Sequence, residues 1–261
     1  MSLFHKTHPL IAYLKYWLYQ EDQYALQSPS VFEIYTGLLD FLEKQKKQNL
    51  EIEEYRSKLL LDHQELHIED YGAGSKHLKN NKRKTSSITK YSTSSRKFAQ
   101  LYQYFCQYTP AQQVLELGTC TGITTRYLSK ATHGILYTIE GSKALWKKAQ
   151  VHKKDLNTNF ILGEIERILP KLLMKIEKLD FVLIDATHTY EATCSYFGQI
   201  LPYTHTQSII VIADIHWSPS MEKAWKEILK FPEVRLSMDF YEAGILFFNP
   251  KLPKDNYVLK I

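Results

Sequence analysis

The order of hydrophobic and polar positions changes near residue 112. Before that point, apolar residues recur at helical spacing in two runs, 11–18 and 31–39. The polar stretch 27–30 separates them, and either Ser28 or Ser30 is placed to cap the second run. Residues 43–61 are charged and continue the helical pattern. The first part of the chain is therefore predicted to be helical.

Beyond residue 112, short β-branched runs alternate with helical patterns. Five runs have the length of buried parallel strands: 114–117, 135–139, 160–162, 181–184 and 209–212. Two further runs, 234–239 and 244–248, are too close in sequence for a parallel crossover and predict an antiparallel hairpin. The pattern predicts an α/β fold: a doubly wound, mostly parallel sheet of seven strands ending in that hairpin.

This change of pattern divides the chain into two predicted parts. Residues 1–84 are predicted to form an N-terminal helical extension with a basic linker, and residues 85–261 the α/β domain. With 44% hydrophobic and 23% charged residues, the composition is that of a globular protein and excludes a wholly disordered chain. No apolar run reaches the roughly 20 residues of a membrane-spanning helix. The N-terminus shows no secretion signal and the three cysteines are widely spaced, which together predict a reduced, cytoplasmic protein.

Charge is divided unevenly between neighbouring segments. Residues 51–70 hold seven acidic residues and residues 75–115 hold none. Eight basic residues fall in the acid-free stretch: Lys76, Lys79, Lys82, Arg83, Lys84, Lys90, Arg96 and Lys97. Two interpretations are open: these side chains contact the phosphates of a nucleic acid, or they form a solvated face beside the acidic segment. The Asn/Asp-Pro-Pro-aromatic signature of enzymes that methylate base nitrogens does not follow the fourth strand of the α/β part.

The strongest local signal lies where the first α/β strand turns into a helix. Glu116, Gly118 and Gly122 form an E-x-G-x-x-x-G turn, which differs from the G-x-G-x-x-G of nicotinamide sites. Glycines let the backbone bend sharply and approach a ligand closely. Glu140 ends the next strand, where a carboxylate can accept hydrogen bonds from a ribose diol. The similar-looking Asp70–Ser75 segment has no strand before it and is interpreted as a glycine turn between the two parts of the chain.

These motifs, taken with the closing hairpin, resemble class I S-adenosylmethionine (SAM) dependent methyltransferases from about residue 85 to the end. The resemblance implies SAM as cofactor, with the methionine part at Glu116, Gly118 and Gly122, the ribose at Glu140 and the adenine near Glu164. The full set of predicted cofactor-binding residues is Glu116, Gly118, Thr119, Gly122, Glu140, Gly141, Gly163, Glu164 and Asp185.

The ends of the fourth and fifth strands carry the candidate catalytic chemistry. Asp185 and His188 follow one strand, and Asp214 and His216 follow the other. A hydroxyl acceptor needs its proton removed by a base or its pKa lowered by a metal. The pair resembles metal-dependent O-methyltransferases, in which acids at these strand ends hold Mg²⁺. The chain departs from that family by carrying Thr187 and Ala213 where acids are common.

Asp185, His188 and His216 are accordingly the predicted catalytic residues, and Asp185 with Asp214 the candidate Mg²⁺ ligands. The whole chain also resembles methyltransferases of Bacteroidetes-type bacteria, through the 27–32 element and the Asp-Ile-His-Trp sequence at 214–217. The predicted activity is methyl transfer from SAM to a hydroxyl of a small molecule. The alternatives are an RNA or DNA methyltransferase that uses residues 76–97, and a non-catalytic SAM-binding scaffold. The aromatic N-terminal helices also predict a homodimer.

Overall fold

The computed structural model describes residues 3–68, 81–151 and 157–261. The helices are α1 (Leu3–Tyr19), α2 (Pro29–Gln45), α3 (Leu50–Leu61), α4 (Thr85–Tyr91), α5 (Arg96–Gln107), α6 (Ile123–Ala131), α7 (Lys143–Ala149), α8 (Ile165–Leu173), α9 (Tyr190–Ile200) and α10 (Pro219–Ile228). The strands are β1 (Glu65–His67), β2 (Lys82–Lys84), β3 (Gln113–Leu117), β4 (Ile135–Glu140), β5 (Thr158–Leu162), β6 (Phe181–Ile184), β7 (Ile209–Ala213), β8 (Leu236–Asp239), β9 (Ala243–Phe247) and β10 (Asp255–Val258). The predicted 70–75 turn, Lys76 and Lys79 lie outside the described residues.

Eight strands form the central sheet in the order β10-β8-β9-β7-β6-β3-β4-β5. Strands β3 to β7 run parallel, and β9 pairs antiparallel with both β7 and β8. The α/β class and the terminal hairpin are confirmed. The eighth strand, β10, was not predicted. Its sequence, Asp-Asn-Tyr-Val, carries little apolar character because it pairs at the sheet edge through its backbone, parallel to β8.

Each face of the sheet is covered by its own hydrophobic cluster. Successive residues of β3 point to opposite faces: Val114 packs in one cluster and Leu115 in the other. Residues of α2 and α5 cover the first face, and residues of α8, α9 and α10 cover the second. The parallel strands are therefore buried on both sides, which explains their near-continuous apolar sequences.

The N-terminal helices were predicted correctly in type and imprecisely in extent. Residues 43–61 do not form one helix, because the chain breaks at Asn49, whose φ of 58° is left-handed. Helix α2 begins at Pro29. Ser28 occupies the N-cap position without making a capping hydrogen bond, and its hydroxyl lies 3.1 Å from that of Ser30.

Helix α2 shares the core of the sheet. Its buried side chains belong to the same cluster as residues of α5, β3 and β6. Helix α3 packs separately against α5 and α6, and the β1–β2 hairpin with α4 packs against Leu145 of α7. The domain boundary at residue 84 stays a prediction. Among the described helices, none has both the length and the apolar run that crossing a bilayer requires.

Candidate functional site

The strand order places a crevice between β3 and β6. From β3 the chain winds outward through β4 and β5, then returns to the other side of β3 as β6. Ligands of open α/β sheets bind at such a reversal, beyond the carboxyl ends of the strands. The turn after β3 and the turn after β6 are therefore the two walls of the candidate site.

Gly118 brings these two turns into contact. Its φ is +98°, and a Cβ at this position would lie 2.1 Å from the carbonyl oxygen of Asp185. Gly122 is also left-handed, with φ +77°, and a Cβ there would lie 2.9 Å from the Cβ of Ala149. Both glycines are thus required by backbone conformation and by close approach.

Glu116 lies at the base of this turn and is fully buried. Thr125 and Thr138 both donate to its Oε2 at 2.6 Å, and Thr119 contacts Thr138 in turn. Burial raises the pKa of Glu116 to about 8, although the two threonine hydrogen bonds oppose the shift. Its Oε1 is buried and has no hydrogen-bond partner among the described residues. We expect a ligand or a bound water to form a hydrogen bond with this oxygen.

Glu140 ties the turns after β3 and β4 together. Its Oε2 accepts from the backbone N–H of Cys120 and its Oε1 from that of Ser142, both at 2.8 Å. Gly141 lies between Glu140 and Ser142. A carboxylate at this position can accept hydrogen bonds from the hydroxyls of a ribose diol.

The turn after β5 borders the same edge of the sheet. The N–H of Gly163 donates to the carbonyl of Glu140 at 3.0 Å, and Gly163 is left-handed with φ +150°. Glu164 follows it at the start of α8 and pairs with Arg167. The predicted cofactor-binding residues are therefore distributed along one edge, across β3, β4, β5 and β6.

A second group of side chains stands at the ends of β6 and β7. The Nε2 atom of His188 lies 3.4 Å from Oδ1 of Asp185 and 3.2 Å from Oδ2 of Asp214. That nitrogen is buried and makes no hydrogen bond of good geometry with either carboxylate. Burial raises the pKa of Asp185 and the Asp214 carboxylate raises it further, while a hydrogen bond with Ser94 lowers it. If Nε2 of His188 is protonated, its N–H faces the carboxylates of both Asp185 and Asp214.

Left-handed backbone is concentrated in these turns. Cys120 after β3, Thr187 and His188 after β6, and Asp214 after β7 all have φ between 49° and 63°. Such conformations cost about 1–3 kcal/mol each in non-glycine residues, and β-branched Thr187 is the least suited to one. Strained backbone in the turns that follow the strands indicates a functional constraint at this end of the sheet.

His216 stands apart from this group. Its Nε2 contacts Oδ2 of Asp239 at 2.7 Å, and its ring stacks on that of Tyr241 with centroids 5.5 Å apart. It lines a separate cavity of about 110 Å³ beneath α1, together with Tyr16 and Glu222. The sequence could not separate the two histidines, because both follow a strand end at the same edge.

Several residues at the crevice were not found from the sequence. Ser94, in the loop before α5, hydrogen bonds with Asp185, and buried Tyr102 lies within the electrostatic reach of Asp185 and Asp214. Glu242, in the β8–β9 turn, accepts the backbone N–H of Asp214 through its carbonyl. None of them belongs to a motif, so no local signal marks them.

Part of the basic segment is used internally. Arg96 donates to the backbone carbonyls of Gln45 and Gln48 and so closes the break between α2 and α3. Its guanidinium acts as a helix-terminus cap, a role that does not involve phosphate.

Part of the chain matches a known protein family by sequence. Residues 115–215 match a family model described as a methyltransferase domain. No curated protein matches the chain at a significant level.

Solved structures of methyltransferases share the fold. An O-methyltransferase from Bacillus cereus in complex with SAH is 19% identical, with a TM-score of 0.50, and the match covers 59% of this chain and 81% of that one. The O-methyltransferase TomG from Streptomyces achromogenes, involved in tomaymycin synthesis and solved with SAM, is 15% identical (TM-score 0.52; 61% and 82% covered). The SAH-bound methyltransferase PaMTH1 from Podospora anserina is also 15% identical (TM-score 0.52; 60% and 80% covered).

Residues 115–215 thus match a methyltransferase domain, and the sheet order and the glycine turn are consistent with that match.

Proposed function

We propose that this protein transfers a methyl group from SAM to a hydroxyl of a small molecule, with His188 as the group that receives the hydroxyl proton. The observation that carries the proposal is the position of His188 between Asp185 and Asp214, at the strand ends that adjoin the glycine turn.

The residues of the crevice fit an adenosyl sulfonium. Gly118 and Gly122 shape the turn beside the crevice, and Glu116 presents a buried oxygen that has no partner among the described residues. Glu140 places a carboxylate at the end of the neighbouring strand, where it can accept from a diol. When bound, SAM supplies an electrophilic methyl group on a positively charged sulfur. The contribution of the chain is then to hold the acceptor oxygen in line with that methyl group and to exclude water.

The hydroxyl proton has a defined destination in this arrangement. As the oxygen attacks, its proton passes to the imidazole of His188, and the imidazolium that forms faces the carboxylates of Asp185 and Asp214 through Nε2. Opposite charges at 3.2–3.4 Å in a partly buried site stabilise that imidazolium. Asp185 and Asp214 would thus orient the base and balance its charge.

The same three side chains could instead hold a cation, since their ligand atoms lie within 4.8 Å of one another. An imidazole nitrogen beside two carboxylates suits Mn²⁺, Fe²⁺ or Zn²⁺ better than Mg²⁺, which prefers oxygen ligands in an octahedron. The predicted Mg²⁺ therefore fits these three side chains less well than the other three ions.

The experiment that tests the function is a transfer assay with methyl-labelled SAM against pooled small hydroxylated metabolites, lipid-linked sugars and bulk RNA. Label in a hydroxylated small molecule supports the proposal. Label in RNA would favour the nucleic-acid methyltransferase, and SAM binding by calorimetry without transfer to any pool would favour the non-catalytic scaffold.

Glu140→Ala is expected to weaken SAM binding by about tenfold or more, about 1.4 kcal/mol.

His188→Asn is expected to lower turnover by about 100-fold or more, the usual scale for loss of a general base, while SAM affinity stays within a few-fold of wild type. His133→Asn is the matched control, since His133 is exposed and lies before β4 at the opposite edge of the sheet. Activity that is lost in a chelator and restored by Mn²⁺ would show that the three side chains serve a cation, and would contradict the role of His188 as base.

A further inference from the structure

Helix α1 has two unlike faces. On its inner face Ala12 is buried, the Tyr16 hydroxyl donates to the carbonyl of Leu259 at 2.7 Å, and the Tyr241 hydroxyl donates to the carbonyl of Pro9 at 2.8 Å. These contacts seat the helix on the body of the protein beside the carboxyl ends of β7 and β8.

The opposite face is apolar and open. We call it the α1 outer face, and it consists of six side chains that are 44–68% exposed: Leu10, Ile11, Tyr13, Leu14, Trp17 and Leu18. At 3.6 residues per turn they fall within an arc of about 160°. Ala12 and Tyr16 lie on the opposite side of the helix. The outer face is therefore one continuous stripe.

The stripe is large for a surface that faces water. Aromatic side chains each offer roughly 150–250 Å² when fully exposed and aliphatic ones somewhat less, so the six half-exposed side chains present on the order of 600 Å². This is the upper end of the range, about 300–600 Å², for the largest apolar patch on a monomeric protein, and such patches are often interaction sites. A standard interface takes about 800 Å² from each partner, and the stripe supplies most of that.

We propose that the α1 outer face is a self-association surface, on which α1 of a second copy of this chain packs about a two-fold axis. The stripe supplies most of the area that each partner of a standard interface buries, and an uncharged stripe of aromatic and aliphatic side chains resembles the core of a homodimer contact. A lipid surface fits less well, because helices that bind anionic membranes are rich in Lys and Arg. Lys15 is the one such residue among positions 7–19 of the helix.

The test is sedimentation velocity on the full chain across a dilution series. Wild type is expected to be dimeric at micromolar concentration, and the double variant Leu14→Glu/Trp17→Glu to be monomeric, with a dimer Kd raised by about 100-fold or more. The control is Leu61→Glu/Met174→Glu, which places the same charges at apolar residues that are 77% and 76% exposed elsewhere, and is expected to remain dimeric.

A second variant keeps the proposal falsifiable if the charged helix does not fold. Leu14→Cys should form an intermolecular disulfide under mild oxidation, whereas Leu61→Cys should not, because only a residue near the two-fold axis meets its own copy. A monomeric wild type overturns the proposal, and so does a dimer that persists in the double variant. Flotation with phosphatidylcholine–phosphatidylglycerol vesicles that the double variant abolishes would assign the face to lipid and also overturn it.

Discussion

Glu116 shows how one buried side chain can set the pH dependence of the fold. It has no exposed surface and its pKa is raised to about 8, because burial disfavours the carboxylate. The unfolded chain ionises near 4.5, so the folded state holds one more proton between pH 4.5 and about 8. The contribution of Glu116 to stability is complete below pH 4.5 and is lost as the pH rises to about 8.

Replacing this carboxyl group should remove that pH dependence. The free energy of unfolding of Glu116→Gln, minus that of wild type, is expected to increase from pH 5 to pH 9. The slope is about 1.4 kcal/mol per pH unit at most, and the total increase is a few kcal/mol. Urea denaturation of the ligand-free protein across the range measures it. Glu164→Gln, at a partly exposed position, is the control and should show no such trend. A constant difference for Glu116→Gln would mean that the carboxyl group is ionised in the folded protein.

At the scale of elements, the site depends on how closely the turns after β3 and β6 approach. Gly118 permits the contact, and the backbone N–H of Asp185 also donates to the carbonyl of Leu117 at 2.9 Å. Widening this contact would move Asp185 and His188 away from the glycine turn. The arrangement of the candidate site is thus a property of two turns together.

Gly118→Ala is expected to destabilise the fold by at least about 2 kcal/mol, because φ of +98° and a backbone oxygen at 2.1 Å both oppose a methyl group. Thermal and urea unfolding measure the loss. The matched control is Gly198→Ala in α9, where a Cβ would meet nothing within 4 Å and helix propensity favours alanine by about 0.5–1 kcal/mol. Equal stability of the two variants would show that the turns can separate without cost.

At the scale of the whole molecule, the N-terminal helices differ in what they do for the core. Helix α2 buries Val31, Ile34, Tyr35, Leu38 and Leu42 against the sheet. At about 1.5–3 kcal/mol for each large side chain, their burial is worth on the order of 10 kcal/mol, comparable with the stability of an entire domain. In α1, by contrast, Ala12 alone is buried among residues 7–19.

A fragment of residues 85–261 is therefore expected not to fold cooperatively, although it contains the whole predicted methyltransferase domain. A fragment of residues 28–261, which lacks α1 and keeps α2, is the control and should fold. Circular dichroism with thermal melting distinguishes them. Cooperative unfolding of the shorter fragment at the wild-type midpoint would show that residues 1–84 are a separate appendage.

The sequence by itself determined the elements whose residues carry a period: the buried strands β3 to β9, the amphipathic helices and the glycine turn. Parallel strands with both faces buried are apolar along most of their length. A left-handed residue that also lies against another part of the chain has no space for a Cβ and must be glycine, so both features can be recognised in the local sequence. The edge strand β10 and the short β1–β2 hairpin are held by backbone pairing, which leaves little trace in the side chains.

Only the tertiary structure decided which strand-end residues meet. Asp185, His188, Asp214 and His216 are equivalent in sequence, each following a strand at the same edge. The β8–β9 hairpin distinguishes them, because it brings Asp239 to His216 and leaves His188 between the two aspartates. The reason is physical: contacts between side chains far apart in the chain depend on strand order and turn geometry, which no local pattern encodes.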